Sequence, residues 1–206
     1  MRHLTTLLLA TALPLSACAG DDDDDHDHDG ENPQEVITTV TLAFEPEGGG
    51  ESVTAEWDDA DGPGGEAPTI DAIVLVAGTT YSLSVGFENR LEDPPEIITE
   101  EVSDEGDEHQ VFLTGTAVDG PASDQEGAPL THTYDDEDGN GLPIGLRNTI
   151  VAEAGAGRLT LVLRHMPPIN DSAVKTEGVA ELAASGGIGE LPGESDVQVD
   201  FDVTVE

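Results

Sequence analysis

Asp136-Glu137-Asp138-Gly139-Asn140-Gly141 sets oxygen-bearing side chains at alternate positions ahead of a glycine. This is the opening half of a calcium loop of the D-x-D-x-N-G kind. Asp136, Asp138 and Asn140 could converge on one hard cation while the glycine permits the tight bend. An EF-hand is excluded, because its twelfth position needs a bidentate Glu and here carries Arg147, and the flanks read as strands. The remaining ligands would come from Asp135 or backbone carbonyls. Asp59-Ala60-Asp61-Gly62 offers a shorter version through Asp59 and Asp61. The competing reading is an acidic hairpin turn, since Asn140-Gly141 is a strong two-residue turn signal.

Histidine paired with acids suggests softer metals. His26 and His28 flank Asp27, and neutral imidazole suits zinc or copper. A solvated segment must lose entropy to bind through them, so a plain linker competes with a metal site there. Glu105 and His109 lie four apart and would share a helix face, with Glu101 one turn earlier. Gly106 weakens such a helix, and a row of exposed acids accounts for the same run without a ligand. His165, at strand spacing from Leu163, reads as a satisfied histidine near a sheet edge.

Signatures of catalysis are missing from the sequence. It contains no G-x-S-x-G elbow and no H-E-x-x-H pair. Gly155-Ala156-Gly157 begins like a dinucleotide turn, but Thr160 stands where the third glycine belongs. The expectation is a protein that is not an enzyme.

Cys18, the single cysteine, carries a different chemistry. Arg2 and His3 precede a short apolar run that ends in Leu15-Ser16-Ala17-Cys18, which reads as a signal peptide (1–17) with a bacterial lipobox. Acylation of Cys18 would consume the thiol, rule out internal disulfides and anchor the chain to a membrane through lipid. Ala19 after the cysteine favours the outer membrane of the bacterial envelope. Residues 18–34, with Asp21 to Asp25 in a row, have no apolar side chain to bury beyond the lipid site and read as a disordered acidic tether. Its extended reach is about 55 Å.

The chain has 45 Asp and Glu against 6 Lys and Arg, for a formal charge of -39. Such a surface repels phosphates, so nucleic acid and anionic head groups are poor partners and cations are favoured. The acids are spread over the whole length, a distribution that suggests adaptation to high salt. A protein or glycan ligand is left open.

The elements that must position these residues begin at Glu35. Val40, Leu42 and Phe44 recur on even positions, and Tyr81, Leu83, Val85 and Phe87 alternate with polar residues. Val53, Ala55 and Trp57 do the same, and 70–76, 111–118, 131–134, 146–152, 159–163 and 197–205 complete about nine short strands. Turn signals, 24 glycines and 13 prolines separate them. The predicted fold is all-β: an antiparallel, immunoglobulin-like sandwich of about 8–9 strands in one domain (35–206), with a turn or two of helix near 95–109. Trp57-Asp58-Asp59-Ala60-Asp61-Gly62 matches Tyr134-Asp135-Asp136-Glu137-Asp138-Gly139 at a spacing of 77, which suggests two similar halves, 35–110 and 111–206.

Ile98-Thr99-Glu100-Glu101-Val102 leading to Asp107-Glu108-His109-Gln110-Val111-Phe112, with the Trp57 acidic turn and Leu163-Arg164-His165, resembles a family of uncharacterised acidic lipoproteins of Bacteroidota and related bacteria. Proteins of that family sometimes carry a type-one periplasmic-binding-fold label. The label would imply alternating strands and helices, whereas the periodicity here implies strands. The resemblance brings no catalytic residues with it. The function expected from the sequence is a lipid-anchored envelope protein with a non-catalytic binding or structural role; the alternative is a metal-handling lipoprotein, with calcium in the acidic turns or a transition metal on His and acids.

Overall fold

The computed structural model describes residues 35–206. The predicted signal peptide, Cys18, His26, His28 and the tether lie outside the described residues. In chain order the elements are β1 (Thr39–Pro46), β2 (Val53–Asp58), β3 (Thr69–Ile70), β4 (Ile73–Leu75), β5 (Thr79–Glu88), α1 (Ile98–Asp104) and β6 (His109–Thr114). They continue through β7 (Val118–Asp119), β8 (Leu130–Tyr134), β9 (Arg147–Ala152), β10 (Gly155–His165), α2 (Val179–Gly186) and β11 (Glu194–Val205).

Alternation dictates which residues meet. Val40, Leu42 and Phe44 of β1 and Tyr81, Leu83, Val85 and Phe87 of β5 point to one side of a seven-stranded sheet ordered β3-β2-β1-β5-β9-β8-β7. Leu159, Leu161 and Leu163 of β10 and Val197, Val199, Phe201, Val203 and Val205 of β11 face them from a four-stranded sheet ordered β4-β11-β10-β6. The two inner faces share one apolar core, so the fold is all-β, as the periodicity implies. Pairing is antiparallel except between β7 and β8 and between β4 and β11. The helix expected near 95–109 is α1, whose Ile98 and Val102 are buried. Among the described residues the strands do not alternate with helices.

There are eleven strands among the described residues rather than about nine, because two apolar runs turn corners. The run 70–76 reads as one strand, yet β3 pairs with β2 in the large sheet while β4 pairs with β11 in the small one. Asp71 marks the crossing: its N–H donates to the Glu56 carbonyl and its carboxylate accepts the Glu56 N–H. The run 111–118 likewise leaves β6 at Gly115 (φ +97°) and joins the large sheet at β7.

The 77-residue spacing lays strands on strands, β2 on β8 and β5 on β10, but their partners differ. β5 sits between β1 and β9 in the large sheet, whereas β10 sits between β6 and β11 in the small one. Corresponding strands of the two halves therefore have different neighbours, and strands of both halves are shared between the two sheets.

The small sheet is covered on its outer face as well. Phe112 and Val162 point away from the main core and pack with Val179, Ala180, Ala183 and Leu191 around α2. The periodicity of the sequence predicts no helix at 179–186.

Candidate metal centre

β6 and β10 run antiparallel with His109 opposite His165 at the end of the ladder. Val111 and Leu163, two residues inward on each strand, face the core, so period two turns both imidazoles to the same side. The rings stack with centroids 4.5 Å apart and planes 8° from parallel. The His109 side chain is wholly excluded from solvent and that of His165 is 8% exposed.

α1 delivers the next groups. It ends at Asp104, and the chain turns through Gly106 before β6 starts at His109, so Glu105 and His109 do not share a helix as their spacing suggests. The turn brings them together anyway. The Glu105 carbonyl accepts the N–H groups of Glu108 and His109 and lies 3.3 Å from His109 Nδ1. With Nδ1 donating there, Nε2 carries the lone pair. Glu105 Oε2 lies 3.9 Å from Nδ1, and Glu108 Oε2 lies 3.5 Å from His165 Nε2.

β11 supplies a carboxylate that the sequence does not announce. Leu163 pairs with Val197 but Arg164 pairs with Ser195, which leaves Asp196 as the extra residue of a β-bulge. Strict alternation from Val197 would turn Asp196 outward; the bulge re-aims it. Its side chain is fully buried, with Oδ2 3.7 Å from His109 Nε2. No side chain hydrogen-bonds the Asp196 carboxylate, which is met by the Glu35 N–H, and Nε2 of neither histidine completes a hydrogen bond. Arg164 fixes the approach to the bulge, donating to the carbonyls of Leu191, Pro192 and Gly193 and to Ser195 Oγ.

The electrostatics follow from this crowding. Burial, reinforced by the neighbouring His165, pushes His109 down to about 4, so it is a neutral imidazole at neutral pH and competent to bind metal. Burial lifts the Asp196 carboxyl to about 6, although His165, the Glu35 N–H and Arg164 pull the other way. Glu35 is pushed up to about 7 by burial and by Glu101, Asp196, Glu105 and Glu96. Glu101 is raised by burial, then by Glu105 and Glu96. Carboxylates from three separate elements thus crowd around two histidines, and a cation would relieve their repulsion.

Among the described residues, three donors of the His, Cys, Asp and Glu type come within 4.8 Å of one another at Glu105, His109 and His165. The acidic turns differ. Asp136 accepts the N–H groups of Gly145 and Arg147, and Asp138 Oδ1 accepts those of Asn140 and Leu142. Asp138 Oδ2 takes Lys175 Nζ at 2.9 Å. Asp136 and Asp138 thus serve as acceptors within a hydrogen-bonded turn to which Asn140 contributes its backbone N–H. Asp61 Oδ2 accepts the Glu66 N–H, and among the described residues Asp59 and Asp61 belong to no group of three such donors.

A cleft of about 590 Å³ lies between α1 and the β8–β9 connection, lined by Thr99, Ser103, Asp136, Ile144 and Arg147 among others. None of the His–Asp cluster reaches it. Of the site residues, Glu105 and His109 are legible from their spacing, and His165 is legible as a sheet-edge histidine but not as a partner. Asp196 and Glu35 carry no sequence signal, since one depends on a bulge and the other on the packing of the chain's entry to β1. No protein-family model, curated protein or solved structure matches this chain.

Proposed function

We propose that the protein is a lipid-anchored, non-catalytic component of the bacterial envelope that binds a divalent transition metal outside the cytosol. The observation that carries the reading is the approach of His109 Nε2 to Asp196 Oδ2 at 3.7 Å, both side chains shut away from solvent, with Nε2 unpartnered and the carboxylate met by the Glu35 N–H. Native proteins seldom leave such groups unpaired, and where they do a catalytic role or an ion is a common reason. Imidazole favours zinc, copper or nickel over calcium. The lipobox at Cys18 supplies the address, and the strong negative charge supports attraction of cations.

The test uses full-length protein purified without chelator. Metal analysis should find close to one zinc-like ion per chain, EDTA should lower the melting temperature, and His109→Ala with His165→Ala should abolish both effects. Absence of metal together with no response to added zinc would sink the reading. For the anchor, Cys18→Ser should move the protein from the membrane fraction to the soluble fraction.

A further inference from the structure

Resting on the metal reading above, we infer that Asp196 is the fixed carboxylate ligand of this centre, joining His109 Nε2 and His165 in a two-histidine, one-carboxylate set for a zinc-like divalent ion. The Asp196 side chain is shut away from solvent, and the Glu35 N–H is the one donor that meets its carboxylate. A carboxylate so placed needs a compensating cation or a proton.

Distance favours the cation. Two donors each about 2.0–2.1 Å from one tetrahedral ion lie roughly 3.3 Å apart, and Asp196 Oδ2 and His109 Nε2 are at 3.7 Å. Their separation exceeds that of a hydrogen bond and needs to close by only a few tenths of an ångström for shared coordination. The backbone device is specific as well. A bulge on β11 turns Asp196 inward at the one register break of the β10–β11 ladder, and Arg164 ties down the three carbonyls that precede it.

Two of the ligands are held and one moves. His109 is oriented through Nδ1 and the Glu105 carbonyl, an outer-sphere contact of the kind that fixes metal-binding histidines. Imidazole donates its lone pair in the ring plane, and two planes only 8° from parallel, with centroids 4.5 Å apart, have no shared point near both rings. One ring must therefore turn to share an ion with the other. His165, at 8% exposure the less enclosed of the two, is the one free to do so. The Glu105 carboxylate lies against Nδ1, on the other side of the ring, so the fourth position falls to water. Calcium would demand six or more oxygens and gain nothing from two imidazoles.

The experiment titrates zinc and cobalt(II) into the full chain at neutral pH for wild type, Asp196→Asn, Asp196→Ala, His109→Ala and the peripheral Glu96→Gln. Wild type should bind one ion with the strong visible bands of four-coordinate cobalt. Asp196→Ala should weaken zinc beyond the roughly 10–100-fold that losing an outer partner costs and should change the cobalt spectrum; Asp196→Asn should fall between, and Glu96→Gln should stay within about threefold. Melts in EDTA check that each variant is folded, and if one Asp196 variant is not, the other decides. If both Asp196 variants bind zinc like wild type with an unchanged cobalt spectrum while His109→Ala does not bind, Asp196 is no ligand and the metal reading survives. If wild type binds neither ion, both fall.

Discussion

Lys175 Nζ lies 2.9 Å from Asp138 Oδ2, with the lysine side chain fully excluded from solvent and that of the aspartate 1% exposed. The same ammonium donates to the Gly106 carbonyl at 2.5 Å. The only lysine of the chain thus pins the segment before α2 to two turns, one joining β8 to β9 and the other joining α1 to the histidine strand. Burial lowers the Lys175 pKa against the pull of Asp138. Burial also opposes ionisation of Asp138, but the Leu142 N–H, Lys175 and the Asn140 N–H together outweigh it and keep the carboxyl below its usual range.

Removing one partner of a buried pair strands the other charge, at about 3–5 kcal/mol. Lys175→Met should therefore lower the melting temperature by roughly 6–15 °C for a domain of this size. Adding Asp138→Asn should recover part of the loss, because no buried charge is then left unpaired while Oδ1 still accepts the Asn140 and Leu142 N–H groups. A Lys175→Met variant that melts within 2 °C of wild type would show the pair to be dispensable.

The buried acid and the buried histidine give opposite pH dependences in EDTA. His109 sits at about 4 in the fold against 6.5 unfolded, so the unfolded chain binds more protons between those values and the stability His109 contributes is lost as pH falls through that window. Asp196 sits at about 6 against 3.8; its contribution is present below 3.8 and lost as pH rises through 6. Asp196→Asn removes only the second effect. The variant should match wild type near pH 4 and exceed it by on the order of 2 kcal/mol above pH 7, read as a widening gap between urea midpoints. A gap that is constant with pH would mean the carboxyl is not shifted.

The legible part of this fold is the part where one sheet face meets one core. β1 and β5 alternate cleanly, and their inward residues are the ones period two selects. Legibility ends where a strand is covered on both faces or where the chain changes sheets. Val111, Phe112 and Leu113 are all buried, two against the main core and Phe112 under α2, so the run has no period to read. α2 itself has no side-chain cap and buries only Val179, Ala180 and Ala183, a weak amphipathic signal flanked by glycines. At the metal centre, Glu105 and His109 are close in sequence and visible in it. His165 and Asp196 join them through ladder register and a bulge, which are properties of the folded sheet.

If α2 is held by that outer cluster, truncation beneath it should be costly. Phe112 is fully buried, and Phe112→Ala should destabilise by about 3–5 kcal/mol through lost transfer free energy and a cavity. Leu182, 40% exposed on the same helix, should tolerate Gln within about 0.5 kcal/mol. Comparable losses for the two variants in chemical denaturation would contradict the packing.

Gly193 tests the bulge from its other side. The residue has φ +75°, a conformation that favours glycine, and a Cβ there would collide with the His165 carbonyl oxygen. Because that oxygen belongs to backbone at the end of β10, relief requires the 191–195 segment to move away from the strand. Such movement breaks the hold of Arg164 on Leu191, Pro192 and Gly193 and shifts Asp196 relative to His109. Gly193→Ala should therefore cost zinc affinity as well as stability, with the affinity loss persisting at temperatures well below its melting point. Arg164→Met, which frees the same carbonyls without a clash, should weaken zinc in the same direction. If Gly193→Ala lowers the melting temperature but binds zinc like wild type in the folded range, the 191–195 segment supports the sheet alone and does not set the position of Asp196.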